Sequence, residues 1–325
     1  MPATFVVVSL LLAFYVPFCA HTPRPFVTPG VRLNALWTPP ANLQARDLFY
    51  GSWGAANAPD PFEVYTLVEH KHSGTNPGMT VIDQRGRVWS VKQAPTTGEP
   101  PEGPIEVVLS RVFEAIGYHQ PPVYFMPSFT YRDDWGTRVE GGGRFRLKDQ
   151  SLKDRGEWSW QRNPFVGTQP YQGLLVTLLL FNSSDLKNAN NTLYEHRIGD
   201  LVEPWYVVRD IGTALGQTGR WAPRRGNAAL FAASPFITGN RNGMVEFGYG
   251  GYHRELFRDR IRVADVRWAA KLLAGLSEQQ WMDAFRAGGF SPAAAQSFLT
   301  TIQSRIAQAA QVGDTAGHAE RSRQP

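Results

Sequence analysis

One stretch of this chain sets residues of catalytic type on turns. It reads Ser184-Asp185-Leu186-Lys187-Asn188-Ala189-Asn190-Asn191-Thr192-Leu193-Tyr194, and eleven positions on comes Trp205-Tyr206-Val207-Val208-Arg209-Asp210-Ile211-Gly212. Asp185, Asn190 and Asp210 therefore stand at the borders of regular elements. Phosphoryl transfer needs such a set: a carboxylate to orient the attacking hydroxyl, and an Asn with an Asp to hold magnesium against the phosphates. Gly212 lets the chain turn sharply beside a bound metal. Each residue also has an ordinary reading. Asp185 can cap a turn, Asn190 and Asn191 can serve left-handed backbone, and Asp210-Ile211-Gly212 can be a plain turn.

The elements that would position these residues change character along the chain. Strand patterns run over Tyr65–His70, Met79–Asp83 and Val88–Lys92, the last two joined by the hairpin turn Gln84-Arg85-Gly86-Arg87. A helix is predicted over Ile105–Ile116, with apolar residues at 105, 108, 109, 112, 113 and 116 on one face and Gly117 closing it. Val123–Met126 and Arg144–Leu147 supply further strands, and the glycines at 141, 142 and 143 read as a flexible turn entering the second of them. From Gln172 the pattern is mainly helical, beginning with the strongly apolar Gly173–Phe181. Ser277 to Gln280 fits a capping box, and Ser291-Pro292 opens a helix carrying Phe298, Ile302 and Ile306. This is an α+β outline in two lobes, and ligands often sit in the cleft of such an outline.

With these residues in place the chain resembles the protein-kinase-like superfamily, whose catalytic loop reads Asp-x-Lys-x-x-Asn and whose metal-binding turn reads Asp-Phe-Gly. Asp185 and Asn190 match the first spacing, and Asp210-Ile211-Gly212 stands for the second motif. Val88-Trp89-Ser90-Val91-Lys92 is similar to the strand whose lysine grips the α and β phosphates. Ser183-Ser184 replaces the usual His-Arg, twenty positions separate Asn190 from Asp210, and no Ala-Pro-Glu segment follows. These departures make it similar to atypical branches such as the spore-coat CotH kinases, the HipA-type kinases and the secreted Golgi-type kinases. The likeness spans roughly Tyr65 to Tyr252.

The resemblance implies a two-lobed protein-kinase-like fold, with a small antiparallel-sheet N-lobe bearing one helix and a larger, mainly helical C-lobe. It also implies ATP and Mg2+ as cofactors. Lys92 would hold phosphates, paired with Glu106 or Glu114 of the following helix, Glu106 being preferred because it lies off the apolar stripe. Asp185 would be the catalytic base, Lys187 would neutralise the transferring group, and Asn190 and Asp210 would bind metal. The glycine-rich loop is not matched. In its place Ser73-Gly74-Thr75 offers backbone N–H groups to phosphate. The basic segment from Thr218 to Asn227 lies where kinases place substrate loops and suits an anionic acceptor.

Composition bounds the rest. The 325 residues carry 33 Lys+Arg against 28 Asp+Glu, a net charge of +5, with 42% hydrophobic residues, so a folded core is expected and collagen-like or disordered classes are excluded. No run of five basic residues marks a nucleic-acid arm. The histidines show no metal-ligating spacing, and the single Cys19 forms no intrachain disulfide. The apolar run Phe5–Ala20 suits a signal peptide, which implies export to a periplasm or the exterior, or a cytoplasmic location if the run is not a signal. No later stretch is apolar enough to cross a membrane. The expected divisions are 1–20 signal, 21–62 extended lead-in, 63–150 strand-rich, 151–312 helix-rich and 313–325 tail.

The reading is an ATP/Mg-dependent phosphotransferase with a nucleotide and a protein or small-molecule hydroxyl acceptor as partners. Scarcity of ATP outside the cytosol gives weight to two others: an inactive pseudokinase or cell-envelope binding module, and a nucleotidyl (AMP) transferase on the same scaffold. The sequons at Asn182 and Asn190 overlap the proposed loop and are taken as chance matches, because a glycan on Asn190 excludes metal there.

Overall fold

The computed structural model describes residues 32–71, 76–95, 100–219 and 224–313. The proposed signal, the phosphate loop Ser73–Thr75 and the tail from 314 lie outside the described residues. So do 220–223 of the basic segment.

Five strands form the first part: β1 (Val64–His70), β2 (Gly78–Ile82), β3 (Val88–Gln93), β4 (Val123–Asp133) and β5 (Gly136–Leu147). Between β3 and β4 lies helix α1 (Glu102–Ala115). The expected antiparallel sheet is instead a closed barrel, in the order β1-β2-β3-β5-β4, sealed by a parallel pairing of Val64–Thr66 with Thr130–Arg132. The reason is the length of the β4–β5 hairpin. One end of β5, at Gly143–Leu147, pairs with β3, while the far end of β4 reaches β1, so no sheet edge is left open. Tyr65, Trp89, Val91, Phe129 and Phe145 fill the interior.

The glycine run is no turn. Gly143 lies within β5, and a Cβ there would stand 2.8 Å from Val91 Cγ1, while one at Gly142 would stand 2.8 Å from the Phe125 ring. These glycines admit close packing against β3 and β4.

The remainder holds β6 (Leu152–Asp154), α2 (Gln169–Leu180), β7 (Asn191–Ile198), β8 (Leu201–Val208), α3 (Ala228–Ala233), β9 (Ile237–Arg241), β10 (Met244–Phe247), α4 (Val263–Ala274), α5 (Glu278–Ala287) and α6 (Pro292–Gln311). It is less helical than expected, because β6, β7 and β8 form a three-stranded sheet and β9 pairs with β10. Asn191–Ile198 is too rich in polar residues to announce a strand by apolar alternation. The capping box at Ser277 and the Ser291 cap with its first-turn Pro292 both form.

The largest apolar cluster gathers around α2, which is buried on every side, and takes in the apolar face of α1 through Ile105, Val108, Leu109, Val112 and Phe113. A small cluster of Val107, Val123 and Ala287 ties α1 to β4 and α5. Residues 32–62 are anchored rather than loose: Leu36 and Leu48 enter the core, and Gln280 donates to the carbonyls of Leu43 and Arg46. Helix α1 is thus held from both sides, by the barrel and by the helices, and this fixes its acidic residues. Among the described residues no helix is long and apolar enough to cross a membrane.

Candidate active site

Along β3 the pleat turns Trp89 and Val91 into the barrel, which leaves Ser90 and Lys92 on its outer face. On β5 the same alternation buries Phe145 and turns Arg144 and Arg146 outward. The register sets Lys92 opposite Arg144 and Ser90 opposite Arg146. Like charges so placed repel. The conflict is resolved by α1, which approaches β5 closely enough that a Cβ on Gly103 would lie 2.9 Å from Arg144 Cβ, and which inserts the fully buried Glu106 among the cations.

Glu106 Oε2 lies 3.0 Å from Lys92 Nζ and its Oε1 lies 3.0 Å from Arg144 Nε, while Arg146 donates to the same carboxylate. Burial alone pushes this carboxyl up. The Arg144, Lys92 and Arg146 charges outweigh burial and hold it down at about 2. Lys92 is likewise raised: burial lowers it, but Glu106, Asp210 and Glu102 more than compensate. Lys92 Nζ lies 3.4 Å from both Glu102 Oε2 and Asp210 Oδ1. Glu114, the other candidate, pairs with Arg46 at 2.8 Å instead.

The second group comes from the chain after α2. Asn190 Nδ2 donates to the Asp185 carbonyl at 2.6 Å, and the Asn190 carbonyl accepts from the N–H groups of Arg209 at 2.8 Å and Asp210 at 3.3 Å. The twenty-position spacing follows from the intervening hairpin. β7 leaves beside Asn190, turns at Gly199, and β8 returns with Val208 opposite Asn191, so Asp210 arrives at the loop again. Asp185 Oδ1 lies 2.9 Å from Lys187 Nζ, and Lys187 sits 4.9 Å above the Tyr252 ring. Asp210 is held well below the usual carboxylate range: burial opposes this, but Lys92, Arg146 and Arg209 prevail.

Gly212 does not take left-handed backbone, contrary to the expected sharp turn; a Cβ there would stand 2.7 Å from Glu102 Cβ. Its smallness seats the Asp210 turn directly on the start of α1. Of the basic segment, Arg225 is engaged by Glu102 at 3.3 Å and by the Pro100 carbonyl at 2.7 Å. Asn182, the first sequon, is buried and hydrogen-bonded to Gly216 and Arg305.

These residues meet in one cleft of about 740 Å³, lined by Lys92, Glu102, Arg144, Arg146, Asp185, Asn190, Arg209 and Asp210. Lys92, Asp185, Asn190 and Asp210 thus share a cavity, with Glu106 directly behind Lys92. The sequence reading missed Glu102 and, at Arg144 and Arg146, favoured a flexible turn entering a strand over arginines brought near phosphate. Arg144-Phe145-Arg146 carries the period-two signal that puts both arginines on one face, but the preceding glycines disguised it.

The donor set suits a hard divalent cation. With its amide N–H engaged by Asp185, Asn190 keeps Oδ1 as an acceptor, and Asp210 is held ionised. Among the described residues no group of three or more His, Cys, Asp or Glu could hold a metal alone.

No protein-family model matches the chain, and no curated protein matches it. Among solved structures the chain is similar to the crystal structure of the Helicobacter pylori proinflammatory kinase CtkA, at 10% identity over 78% of this chain and 97% of that one, with a TM-score of 0.35.

Proposed function

We propose that the cleft belongs to a two-lobed, protein-kinase-like phosphotransferase of atypical branch, using ATP and magnesium. The observation that carries this reading is Lys92 Nζ, ion-paired with Glu106 at 3.0 Å and with Asp210 at 3.4 Å, in a cavity that Asp185 and Asn190 also line. Lys92, fixed by Glu106, meets the phosphate charge without having to reorganise. Asp185 accepts the proton of the acceptor hydroxyl and orients it, and Lys187 balances the charge building on the transferred group. Asn190 Oδ1 and Asp210 would hold magnesium, with phosphates and water completing its shell. Bound there, the metal supplies charge neutralisation to the phosphates. The acceptor is a hydroxyl on an unidentified protein or small molecule, and the site of action is outside the cytosol.

A second reading has its own support. Among the described residues lining the cleft, only Pro77 and Val91 are apolar, whereas Arg144 and Arg146 form its deep wall. A purine prefers apolar faces, and arginines prefer phosphate. A nucleotide seated with its β- and γ-phosphates against those arginines turns its α-phosphorus to the acceptor hydroxyl, whose oxygen bonds to it as the α–β bridging bond breaks and pyrophosphate leaves, which is AMP transfer.

Product mass separates the two, since phosphoryl adds about 80 Da and adenylyl about 329 Da. Asp185→Asn preserves the backbone carbonyl that Asn190 binds, so ATP consumption should fall by about 100-fold or more with nucleotide affinity unchanged. Equal turnover in wild type and Asp185→Asn removes Asp185 from the mechanism. Absence of either mass change and of ATP consumption rejects both readings.

A further inference from the structure

The barrel face that looks into the cleft carries two rows of residues, each running across the strands. In the first, Gly78 pairs with Lys92 and Lys92 with Arg144, and the Lys71 N–H extends the row by donating to the Gly78 carbonyl at 2.8 Å. Glu69, Thr80, Ser90 and Arg146 form the second. A Cβ at Gly78 would stand 3.3 Å from Lys71 Cδ. Its absence lets the lysine stem cross from the first row to the second, where Nζ donates to Ser90 Oγ at 2.5 Å.

Lys71 is thus a fourth cation on the face that holds Lys92, Arg144 and Arg146. Those three share Glu106, whereas among the described residues no carboxylate lies within ion-pair distance of Lys71. Glu69, on its own strand, accepts from the Thr80 hydroxyl at 2.9 Å instead. The residue lines the cleft and is exposed as a whole, so a ligand can reach it. Ser90 engages one of the ammonium's three N–H groups, which leaves two. Partial burial of that end, and then the Arg144, Arg146, Lys148 and Lys92 charges, lower its pKa from 10.5 to about 8.

Clustered Lys and Arg with no acid to spare suit phosphate oxygens. Ser90 and Lys92 stand about 6.5 Å apart along β3, a separation that linked phosphates can span. We propose that Lys71 is a second phosphate-binding lysine of the cleft, and that Lys71 and Lys92 hold different phosphates of one polyphosphate ligand. The assignment rests on the reading of the cleft as a nucleotide site, and it concerns the phosphates alone.

The test is titration calorimetry of the full chain with ATP and with inorganic tripolyphosphate, at fixed magnesium and ionic strength. Both should bind the wild type, and both should bind Lys71→Met about tenfold more weakly or worse. Lys148 donates to Thr80 at 3.3 Å but does not line the cleft, so Lys148→Met, an equal loss of charge, should change affinity by less than about twofold. The charged and titratable groups around Lys71 are Glu69 and His70 of β1, Lys92 of β3, Arg144 and Arg146 of β5, and Lys148. Wild-type affinity should fall by about tenfold from about pH 7.5 to about pH 9, because Lys71 must then take up a proton to hold phosphate. Lys71→Arg, charged throughout and with the other groups unchanged, should bind and lose this fall. Circular dichroism checks folding, and the Lys71→Arg profile decides if Lys71→Met is not folded. Lys71-dependent binding of tripolyphosphate without binding of ATP keeps this assignment and rejects the nucleotide. Equal binding to the wild type and a folded Lys71→Met, or a pH fall that persists in Lys71→Arg, overturns the assignment and leaves the nucleotide reading standing. Failure of both ligands to bind the wild type overturns both.

Discussion

Glu106 stands fully buried among Lys92, Arg144 and Arg146, so removing its charge leaves three cations facing one another. Breaking a buried ion pair from one side typically costs about 3 kcal/mol or more. Glu106→Gln should therefore lower the unfolding free energy obtained from urea titration at neutral pH by an amount of that order. The pH dependence has a definite sign. The folded-state pKa is depressed from 4.5 to about 2, so the stability contributed by this carboxylate is complete above about 4.5 and is lost as pH falls toward 2. The gap between wild type and Glu106→Gln should narrow across that window. A gap that stays constant from pH 6 down to the acid limit would show that the charge of Glu106 carries none of the effect.

At the scale of elements, the site depends on the contact between the start of α1 and the Asp210 turn. Gly212→Ala places a methyl group 2.7 Å from Glu102 Cβ, and one or the other must move. Overpacking of this kind costs about 1–3 kcal/mol. Because Glu102 and Asp210 both reach Lys92, nucleotide affinity should fall with it; titration calorimetry with ATP should give at least about tenfold weaker binding, and unchanged affinity would dissociate the turn from the site. Much of this arrangement was legible beforehand. The alternation in Val88–Lys92, the apolar stripe of α1 and the Asp185–Asn190 spacing are local patterns, and local patterns are what a sequence displays. Barrel closure was not legible, because it depends on the far end of β4 meeting β1 more than sixty residues earlier. Gly142 and Gly143 misled for a related reason: their smallness serves neighbours distant in sequence, while a glycine run read locally means a turn.

For the molecule as a whole, the cleft draws on β3, β5, α1, the loop after α2 and the turn after β8, so a ligand there ties together parts that are otherwise joined mainly through α1. Binding to the folded state alone must raise its stability. The most direct measurement is a thermal-shift titration of the full chain with ATP, with and without magnesium, beside Asp210→Ala. At 100 times the dissociation constant the gain is about 2.7 kcal/mol, enough to raise the midpoint by several degrees. The account predicts a magnesium-dependent rise in the wild type that Asp210→Ala loses. No shift at millimolar ATP, or an equal shift in the variant, would contradict a nucleotide site built on Lys92, Glu106 and Asp210.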